Sequence, residues 1–281
     1  MIEIVRPGAL ATVQDLGRPG FAHLGVPRSG AADAASLRLA NRLVGNPEGA
    51  ACIEFTLGNA AVRFDAPAWI AVTGAPLDLR LDDRRHGMNA PIQINGGATL
   101  NLGIPASGLR SYLAVRGGLT CDETLGSRST DLLSGLGPKP LAQGDRIPTG
   151  ATDTPICVDQ APVPSIPDVP ILHIVPGPRD DWFDDDALTV LTSEPYTVSQ
   201  DSNRVGVRLD GPSLVRAREG ELSSEGMVTG AVQVPPDGKP IVFLTDHPTT
   251  GGYPVIAVVR NRDLPLTAQL RPGGTVRFRQ T

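Results

Sequence analysis

"IVFLTDHPTTGGYPVIAVV", residues 241–259, contains two apolar runs, 241–244 and 255–259, separated by a break rich in glycine and proline. Runs of this length suit buried strands and are too short for ordinary helices. Short apolar runs punctuated by turn residues recur along the 281 residues, which include 32 Gly and 27 Pro. The sequence therefore predicts a mainly β protein with many turns.

One helix stands out against this background. Residues 33–44 place Leu37, Leu43 and other apolar side chains at helical spacing. Asp33 lies at the start, where a negative charge suits the helix dipole, and Gly45 supplies a stop. A second short helix with an acidic beginning is predicted within residues 180–188.

The chain is predicted to form two β-rich, barrel-like lobes. Five prolines between residues 155 and 170 resist regular structure and favour an extended connection. We therefore predict an N-terminal β-rich lobe with one helix at 1–152, a proline-rich connection at 153–169, and a C-terminal β-barrel lobe at 170–281.

Charge and composition exclude several classes of protein. The net charge is −5 and the pI is near 5.4, so no basic field would attract nucleic acid. The opening "MIEIVRPGAL" lacks the features of a signal peptide, and the apolar runs are too short to span a bilayer. The three cysteines show no CxxC spacing, which indicates reduced thiols. We expect a cytoplasmic protein without a membrane partner.

Motifs for common cofactors are missing from the sequence. The chain contains no P-loop, no GxGxxG at a strand-to-helix turn, no HExxH and no Met-Lys-Met biotin attachment site. Its four histidines never pair at the spacings typical of metal ligands, so we expect no metal site. If the chain belongs to an enzyme complex, other polypeptides are expected to carry the cofactor.

Three segments are candidates for anion or substrate binding. "VQDLGRPGFAHLGVPRSGAAD", residues 13–33, leads into the helix, and "VRGGLTCDETLGSRSTD", residues 115–131, follows a strand with a glycine pair. Helix N-termini attract anions, and arginine grips carboxylates or phosphates through paired hydrogen bonds. In the third, "SNRVGVRLDG", an i,i+4 arginine pair is predicted to share one face of a strand. The alternative is ordered loops with capping residues and surface ion pairs. The candidate residues are Asp15, Arg18, Arg28, Ser29, Arg116, Arg128 and Arg204, the last paired with Arg208.

The break within residues 245–254 is the candidate catalytic segment. Gly251 and Gly252 would let two backbone N–H groups approach a ligand and hold an oxyanion. Thr250 and Tyr253 add hydroxyl groups nearby. The candidate proton acceptors are Asp246 and His247. The alternative is a β-bulge, in which glycine only bends a strand at a barrel corner.

Taken in order, these segments resemble one family, the allophanate hydrolase subunit 2 or biotin-dependent carboxyltransferase family. The resemblance rests on residues 13–64, "SYLAVRGGLTCDETLGSRSTDLL", "GDRIP", "SNRVGVRLDGP" and "VQVPPDGKPIVFLTDHPTTGGYPVIAVV", and covers about residues 5–278. Members include the C subunit of bacterial 5-oxoprolinase, part of urea amidolyase, and an antagonist of a sporulation-kinase inhibitor. The resemblance implies a cyclophilin-like β-barrel architecture and a companion chain, the B subunit, which is related to allophanate hydrolase subunit 1.

The chain departs from the family pattern at two places. Lys139 stands in "GPKPLAQGD" where many relatives carry arginine, and lysine lacks the guanidinium fork. His247-Pro248 stands where Arg-Gln is common, and histidine titrates near neutral pH, unlike arginine.

Among the functions that the resemblance implies, the length of one subunit favours a 5-oxoprolinase. This complex uses ATP to open 5-oxoproline to glutamate, and the partners of this chain would be the B subunit and a lactam-utilisation subunit. In this interpretation Arg18, Arg28 and Arg128 bind anionic groups, and Gly251–Tyr253 steady the developing oxyanion. One alternative is carboxyl transfer to urea or a similar acceptor from carboxybiotin carried on a separate chain. Another is a regulator without catalysis that binds a kinase inhibitor.

Overall fold

A computed structural model describes residues 1–218, 220 and 222–281 of the chain. It divides into two compact units. The first comprises Met1–Arg18, Ser29–Asp131 and Gly135–Ser165, and the second comprises Pro19–Arg28, Leu132–Ser134 and Ile166–Thr281. Most of the predicted connection, up to Ser165, therefore groups with the first unit. Two short segments that the sequence prediction placed in the N-terminal lobe, 19–28 and 132–134, group with the second.

The first unit is built on two antiparallel sheets. One has the strand order β11-β1-β4-β9-β6-β7, and the other has the order β2-β3-β10-β5-β8. The strands are β1 (Ile2–Arg6), β2 (Leu10–Gln14), β3 (Cys52–Thr56), β4 (Ala60–Phe64), β5 (Ala68–Gly74), β6 (Leu79–Leu81), β7 (Arg84–His86), β8 (Ile92–Ile94), β9 (Thr99–Leu102), β10 (Arg110–Val115) and β11 (Arg146–Ile147).

An apolar core lies between the two sheets. Ile4 of β1 and Phe64 of β4 come from the first sheet, and Ile53 of β3 and Leu113 of β10 come from the second. Each is at most 1% exposed. Alternate residues of a strand point to opposite faces, so one face of each sheet supplies this core. Burying each large aliphatic or aromatic side chain contributes about 1.5–3 kcal/mol to folding.

The predicted helix is confirmed as α1 (Ala34–Leu43), which covers the outer face of the second sheet. Asp33 is the N-cap, and its Oδ1 accepts a hydrogen bond from the Ser36 N–H at 3.0 Å. Leu37 and Leu43 are fully buried against the sheet. Gly45 has φ +70°, a left-handed conformation that glycine adopts without strain and that ends the helix.

The proline-rich segment is fastened to the first unit through Asn89. The Ala161 N–H donates to the Asn89 carbonyl at 2.8 Å, and the Asn89 amide donates to the Pro162 carbonyl at 2.7 Å. These bonds satisfy backbone groups of a stretch that forms no strand or helix.

The second unit contains a closed barrel, which confirms the predicted β-barrel fold. Its strand order is β12-β19-β16-β17-β14-β13-β20, and β12 and β20 pair in parallel to close it. The strands of this unit are β12 (Ile171–Pro176), β13 (Tyr196–Val198), β14 (Gly206–Asp210), β15 (Glu225–Gly226), β16 (Ala231–Gln233), β17 (Ile241–Phe243), β18 (Thr250–Gly251), β19 (Val255–Val259) and β20 (Thr275–Gln280).

Two short helices accompany the barrel, α2 (Ala187–Ser193) and α3 (Leu264–Thr267). Single 3-10 turns lie at Ala22–Leu24, Asp180–Trp182 and Asn261–Asp263. In the part of the chain that the structure describes, no helix combines the length and apolar character needed to cross a bilayer.

The barrel strands carry two apolar clusters. Val232 and Val242 belong to the interior core, whereas their neighbours Ala231 and Phe243 belong to a separate cluster. Because adjacent residues of a strand face opposite sides, this second cluster lies on the outer side of the barrel wall, where its residues are nevertheless buried. It also includes Met227, which follows β15. We call Met227, Ala231, Phe243 and Val255 the outer cluster.

Candidate functional site

The Asp15 carboxylate is the centre of a buried polar cluster in the first unit. Its Oδ1 accepts hydrogen bonds from the Gly17 N–H at 2.7 Å, the Ser127 hydroxyl at 2.7 Å and the Ser129 hydroxyl at 2.5 Å. Its Oδ2 accepts from the Arg128 N–H at 2.6 Å. The structure thus brings the two predicted anion-binding segments together. However, donors from the chain itself already occupy both oxygens of the Asp15 carboxylate. Asp15 is therefore better suited to holding the 127–129 turn in place than to binding a ligand.

Arg18 lies beside this cluster and is 1% exposed. Its Nε donates to the Thr124 carbonyl at 3.2 Å, and its Nη2 donates to the Ser129 carbonyl at 2.5 Å. Its Nη1 is 3.9 Å from Asp131 Oδ2 and has no hydrogen-bond acceptor among the described residues. Most of the guanidinium therefore holds backbone carbonyls in place.

Ser29 contacts the same region at Thr130, the residue after Ser129. It has φ +53° and is buried, and its hydroxyl donates to the Thr130 carbonyl at 3.0 Å. The Thr130 hydroxyl is buried and lacks a hydrogen-bond partner within the described part of the chain. Asp15, Arg18 and Ser29 therefore converge on one turn, 127–131.

The other predicted arginines do not form a single binding site with Asp15, Arg18 and Ser29. Arg28 is exposed and groups with the second unit. The Arg116 guanidinium donates to the Val44 carbonyl at 2.9 Å and the Thr152 carbonyl at 3.1 Å. These bonds tie the end of α1 to the segment after β11. The Arg128 side chain pairs with Glu123 at 2.7 Å. Roles for these residues in substrate binding stay predictions.

In the second unit, Arg204 and Asp246 form a buried ion pair. Arg204 Nε and Nη2 lie 3.0 and 3.1 Å from the two Asp246 oxygens, and both residues are at most 1% exposed. Asp246 Oδ2 also accepts from the Leu132 N–H at 3.2 Å. This carboxylate is thus neutralised and bonded, which suits a structural role better than proton transfer.

The prediction that Arg204 and Arg208 share one face is wrong. Arg204 is buried, whereas Arg208 is exposed on β14. The reason is local, because the Asn203 side chain accepts hydrogen bonds from the N–H groups of Val205 at 2.8 Å and Gly206 at 3.4 Å. The chain turns there, and the regular strand begins only at Gly206.

His247 follows Asp246 and is 7% exposed. Its Nδ1 is 2.7 Å from the Pro248 carbonyl, and because a carbonyl only accepts, this nitrogen carries the proton. The ring stacks on Phe243 of the outer cluster, with centroids 5.8 Å apart. Burial lowers the pKa of His247 below its ordinary value, while the Pro248 bond and the Asp246 charge oppose this shift. A neutral ring with a lone pair on Nε2 can accept a proton.

Gly251 is required by packing. A Cβ there would lie 2.7 Å from Gln233 Nε2 and 3.4 Å from Met227 Cγ. Gln233 is buried and donates to the Tyr253 carbonyl at 3.1 Å, so its amide occupies the space that a side chain would need.

The Gly251 N–H is also engaged. The Met227 N–H donates to the Thr249 carbonyl at 2.9 Å, and Gly251 is the register partner of Glu225. Because bonded pairs alternate along an antiparallel ladder, the Gly251 N–H is directed at the Glu225 carbonyl. Of the two predicted oxyanion donors, Gly252 is the one outside this ladder. A Cβ on Gly252 would approach the Leu222 carbonyl only to 3.3 Å.

Two hydroxyl groups and one guanidinium group lie close to Gly251 and Gly252 in the chain or in the fold. Thr250 is exposed, and Tyr253 is 39% exposed with the Arg216 guanidinium 5.6 Å from its ring centroid. Arg216 Nη2 donates to the Val234 carbonyl at 2.5 Å, and its Nε is buried without a hydrogen-bond partner among the described residues.

The outer cluster therefore carries the best candidate site. His247 stacks on Phe243 of this cluster, and Gln233 lies beside its Met227. Gln233 leads to Tyr253 and its neighbour Arg216, and Gly252 precedes Tyr253 in the chain. Sequence reasoning missed Gln233 and Arg216. Gln233 had a detectable signal, because it is a polar residue inside the apolar run of "GAVQV". Within residues 1–218, 220 and 222–281, no three His, Cys, Asp or Glu side chains form a group suited to a metal ion.

Residues 24–280 match the family of the carboxyltransferase domain, subdomains A and B. The chain belongs to this carboxyltransferase family. The predicted family resemblance is confirmed. The matched region includes β3 to β20, and with them the turn 127–131 and the outer cluster.

Named relatives of this carboxyltransferase-family chain fall into two groups. The C subunit of Escherichia coli 5-oxoprolinase is 40% identical over 283 residues, which cover 100% of this chain and 91% of the relative. The urea amidolyase of Lachancea kluyveri is 36% identical over 304 residues, covering 98% of this chain and 17% of that longer protein.

A solved structure supports the same fold. The crystal structure of TTHA0988 superimposes with a TM-score of 0.91 at 37% sequence identity. The alignment covers 99% of this chain and 55% of the TTHA0988 chain, so this member of the carboxyltransferase family spans about half of that protein.

Proposed function

We propose that this chain is the C subunit of an ATP-dependent 5-oxoprolinase complex, which opens the lactam of 5-oxoproline to give glutamate. One observation carries the proposal. The chain aligns with 91% of the C subunit of E. coli 5-oxoprolinase, but with only 17% of the L. kluyveri urea amidolyase. Nearly the whole of that C subunit therefore has a counterpart in this chain. A cytoplasmic location belongs to the proposal and suits the free thiols of Cys52, Cys121 and Cys157.

The outer-cluster site suits the chemistry of lactam opening. Opening the ring needs a group that takes a proton from water and a donor for the carbonyl oxygen as it becomes anionic. The neutral His247 ring, protonated on Nδ1, offers Nε2 as the proton acceptor. Gly252 and Tyr253, five and six residues further along the chain, offer an N–H and a hydroxyl. Arg216, beside the Tyr253 ring, is the candidate for the substrate carboxylate.

Three of the predicted arginines are already engaged with groups of this chain, which disfavours them as ligands of a nucleoside triphosphate. ATP, when bound in the complex, supplies the free energy for opening the stable lactam. A phosphate cradle needs several free N–H or guanidinium donors. Here Arg18, Arg116 and Arg204 already donate to carbonyls or to Asp246. We propose that ATP binds to the companion chains, the B subunit and the lactam-utilisation subunit.

A second candidate function is carboxyl transfer from carboxybiotin to urea or a similar acceptor. The observation that favours it is the 36% identity to urea amidolyase over 98% of this chain. Biotin would then be attached outside residues 1–281, because these residues lack the Met-Lys-Met attachment site. The same donors near Gly252 would face the carboxyl oxygen.

The proposal is tested by reconstitution. The purified chain is combined with the B subunit and the lactam-utilisation subunit from the same cells, and ADP and glutamate are measured after adding 5-oxoproline. We expect both products only when all three are present, with omission of this chain as the control. No turnover here, together with carboxylation of urea when a biotinylated carboxylase is supplied, would favour the second function. Stable binding of a kinase inhibitor without either turnover would indicate a regulator.

A further inference from the structure

The second unit has a cleft on the outside of the barrel, with a volume of about 520 Å³. It lies where β12 and β19 meet the 3-10 turn at Asn261–Asp263. The lining includes Val175, Val258, Arg260, Asn261, Arg262 and Thr281. We call it the Arg260 cleft. Its lining does not include His247, Gly252 or Tyr253, although Val258 also packs against the outer cluster.

The floor of the Arg260 cleft is apolar. Val175 of β12 and Val258 of β19 are register partners on adjacent antiparallel strands. Their strand neighbours Ile174 and Ala257 belong to the interior core. Since side chains alternate along a strand, Val175 and Val258 point away from that core, and both are only half-buried. A pair of aliphatic side chains is thus presented at the bottom of an open cleft.

The rim of the cleft carries two arginines. Arg260 donates through Nε to the Thr281 hydroxyl at 3.2 Å and through Nη2 to the main-chain oxygen of Thr281 at 3.4 Å. Both distances are long for a guanidinium, which leaves Arg260 weakly held. Arg262 is 65% exposed, and its Nε is 3.9 Å from Asp263 Oδ1. Asp263 Oδ2 already accepts from the backbone N–H and the ring Nδ1 of His173, at 2.7 and 2.8 Å.

A further arginine extends the basic surface. Arg279 is exposed on β20 and is the register partner of His173 on β12. Register partners on adjacent strands point to the same side of a sheet, so Arg279 lies on the face that His173 shares with the cleft. This local positive charge occurs in a chain whose net charge is −5.

We propose that the Arg260 cleft docks an acidic segment of a companion chain of the complex, in which carboxylates alternate with aliphatic side chains. Guanidinium groups bind carboxylates through paired hydrogen bonds, and the valine floor takes the aliphatic side chains between them. The overall negative charge of the chain disfavours long polyanions such as nucleic acid at long range. A short segment fits the cleft better. The identity of the partner rests on the proposed function, whereas the chemistry of the cleft does not.

The test uses the full chain and two probes. The first is the synthetic peptide acetyl-Glu-Val-Glu-Val-Glu-Val-Glu-amide, and the second is the purified B subunit, with binding measured by calorimetry at low and at high salt. Arg260→Glu combined with Arg262→Glu reverses the rim charge. Arg208→Glu is the matched control, because Arg208 is an exposed arginine on β14 of the same unit. A milder pair, Arg260→Gln with Arg262→Gln, keeps the test valid if the reversed variant misfolds.

We expect the reversed variant to bind both probes at least about tenfold more weakly, with wild-type binding falling at high salt and the control unchanged. Equal peptide binding by the wild-type and reversed chains would overturn the proposal. Loss of peptide binding with unchanged affinity for the B subunit would also overturn it, because the companion would then dock elsewhere. If the wild-type chain binds the peptide but not the B subunit, two conclusions are rejected: the proposed function, and the companion chain as the ligand of the cleft.

Discussion

His247 combines a fixed proton position with burial, and both properties affect its titration. Its Nδ1 proton is held by the Pro248 carbonyl, and its ring is packed on Phe243. Desolvation is the largest effect and lowers its pKa below the ordinary value of 6.5. The buried ring therefore stays neutral at a pH where an exposed histidine would already be protonated.

This lowered pKa predicts a pH dependence of stability. The unfolded chain binds a proton near pH 6.5, and the folded chain binds it only at lower pH. The free energy of unfolding should then fall as pH drops below about 6.5 and stop falling below the folded pKa. Urea unfolding of wild type and His247→Gln between pH 7.5 and 5 measures this, and the variant should lose that part of the slope. Parallel slopes would contradict the assignment.

The same substitution tests the proposed chemistry. In the reconstituted complex, His247→Gln should lower kcat by about 10²–10⁴-fold, the usual contribution of a general base. Assembly with the companion subunits should be unaffected, because the side chain is 7% exposed and its amide replacement keeps a hydrogen-bonding end. A variant with unchanged kcat would remove His247 from the mechanism.

Gly251 and Gly226 lie on paired strands but meet different surroundings. Gly251→Ala would place a methyl group 2.7 Å from the Gln233 amide and push it from the Tyr253 carbonyl. We expect a loss of about 1–3 kcal/mol in the free energy of unfolding, as for other overpacked sites. Gly226→Ala is the matched control, because Gly226 lies on β15, the strand paired with β18, and a Cβ there meets nothing within 4 Å, so it should lose much less. Equal losses in a denaturant titration would refute the packing explanation.

At the scale of elements, the turn 127–131 depends on a carboxylate from the segment after β2. Removing Asp15 leaves the hydroxyls of Ser127 and Ser129 and the N–H groups of Gly17 and Arg128 without their shared acceptor. Unsatisfied buried donors cost about 1–3 kcal/mol each when water cannot reach them.

We therefore expect Asp15→Ala to destabilise the chain by about 2–4 kcal/mol. It should also speed protease cleavage within residues 121–131. Asp122→Ala is the control, because Asp122 is an exposed carboxylate in that segment. Thermal melts and timed proteolysis measure both effects. Similar behaviour of the two variants would mean that the Asp15 bonds do not hold the turn.

Sequence patterns predicted elements well where the signal is local. The helix predicted at 33–44 is found at Ala34–Leu43, because its cap, apolar spacing and terminal glycine all lie within thirteen residues. The Arg204–Arg208 prediction failed because the Asn203 side chain bends the chain before the strand begins. The Asp15 cluster was expected as a ligand site, since sequence spacing cannot show that Ser127 lies beside a carboxylate 112 residues away.

For the whole molecule, the two units offer one tryptophan each as separate reporters. Trp69 lies on β5 in the first unit and Trp182 lies in the second, and both are half-buried. Trp69→Phe leaves Trp182 fluorescence to follow the second unit alone. The fragment 166–281 contains every barrel strand but lacks Leu132, whose N–H donates to Asp246.

We expect the fragment to unfold at a lower temperature than the second unit of the Trp69→Phe chain. A hydrogen bond to a charged group contributes about 1.5–3 kcal/mol, which corresponds to several degrees for a unit of this size. Fluorescence melts of both proteins make the comparison, with Trp182→Phe as the reporter of the first unit. Identical melting temperatures would show that residues 19–28 and 132–134 add nothing to barrel stability.

The parallel pairing of β12 with β20 also has a consequence for synthesis on the ribosome. Ile171 pairs with Arg277, so the barrel cannot close until the codons for residues 275–280 have been translated. The sheets of the first unit are complete by residue 147 and can form while the ribosome is still elongating. Until β20 is synthesised, the edge of β12 that pairs with it stays unpaired. We expect the need for a chaperone to be greatest during this interval.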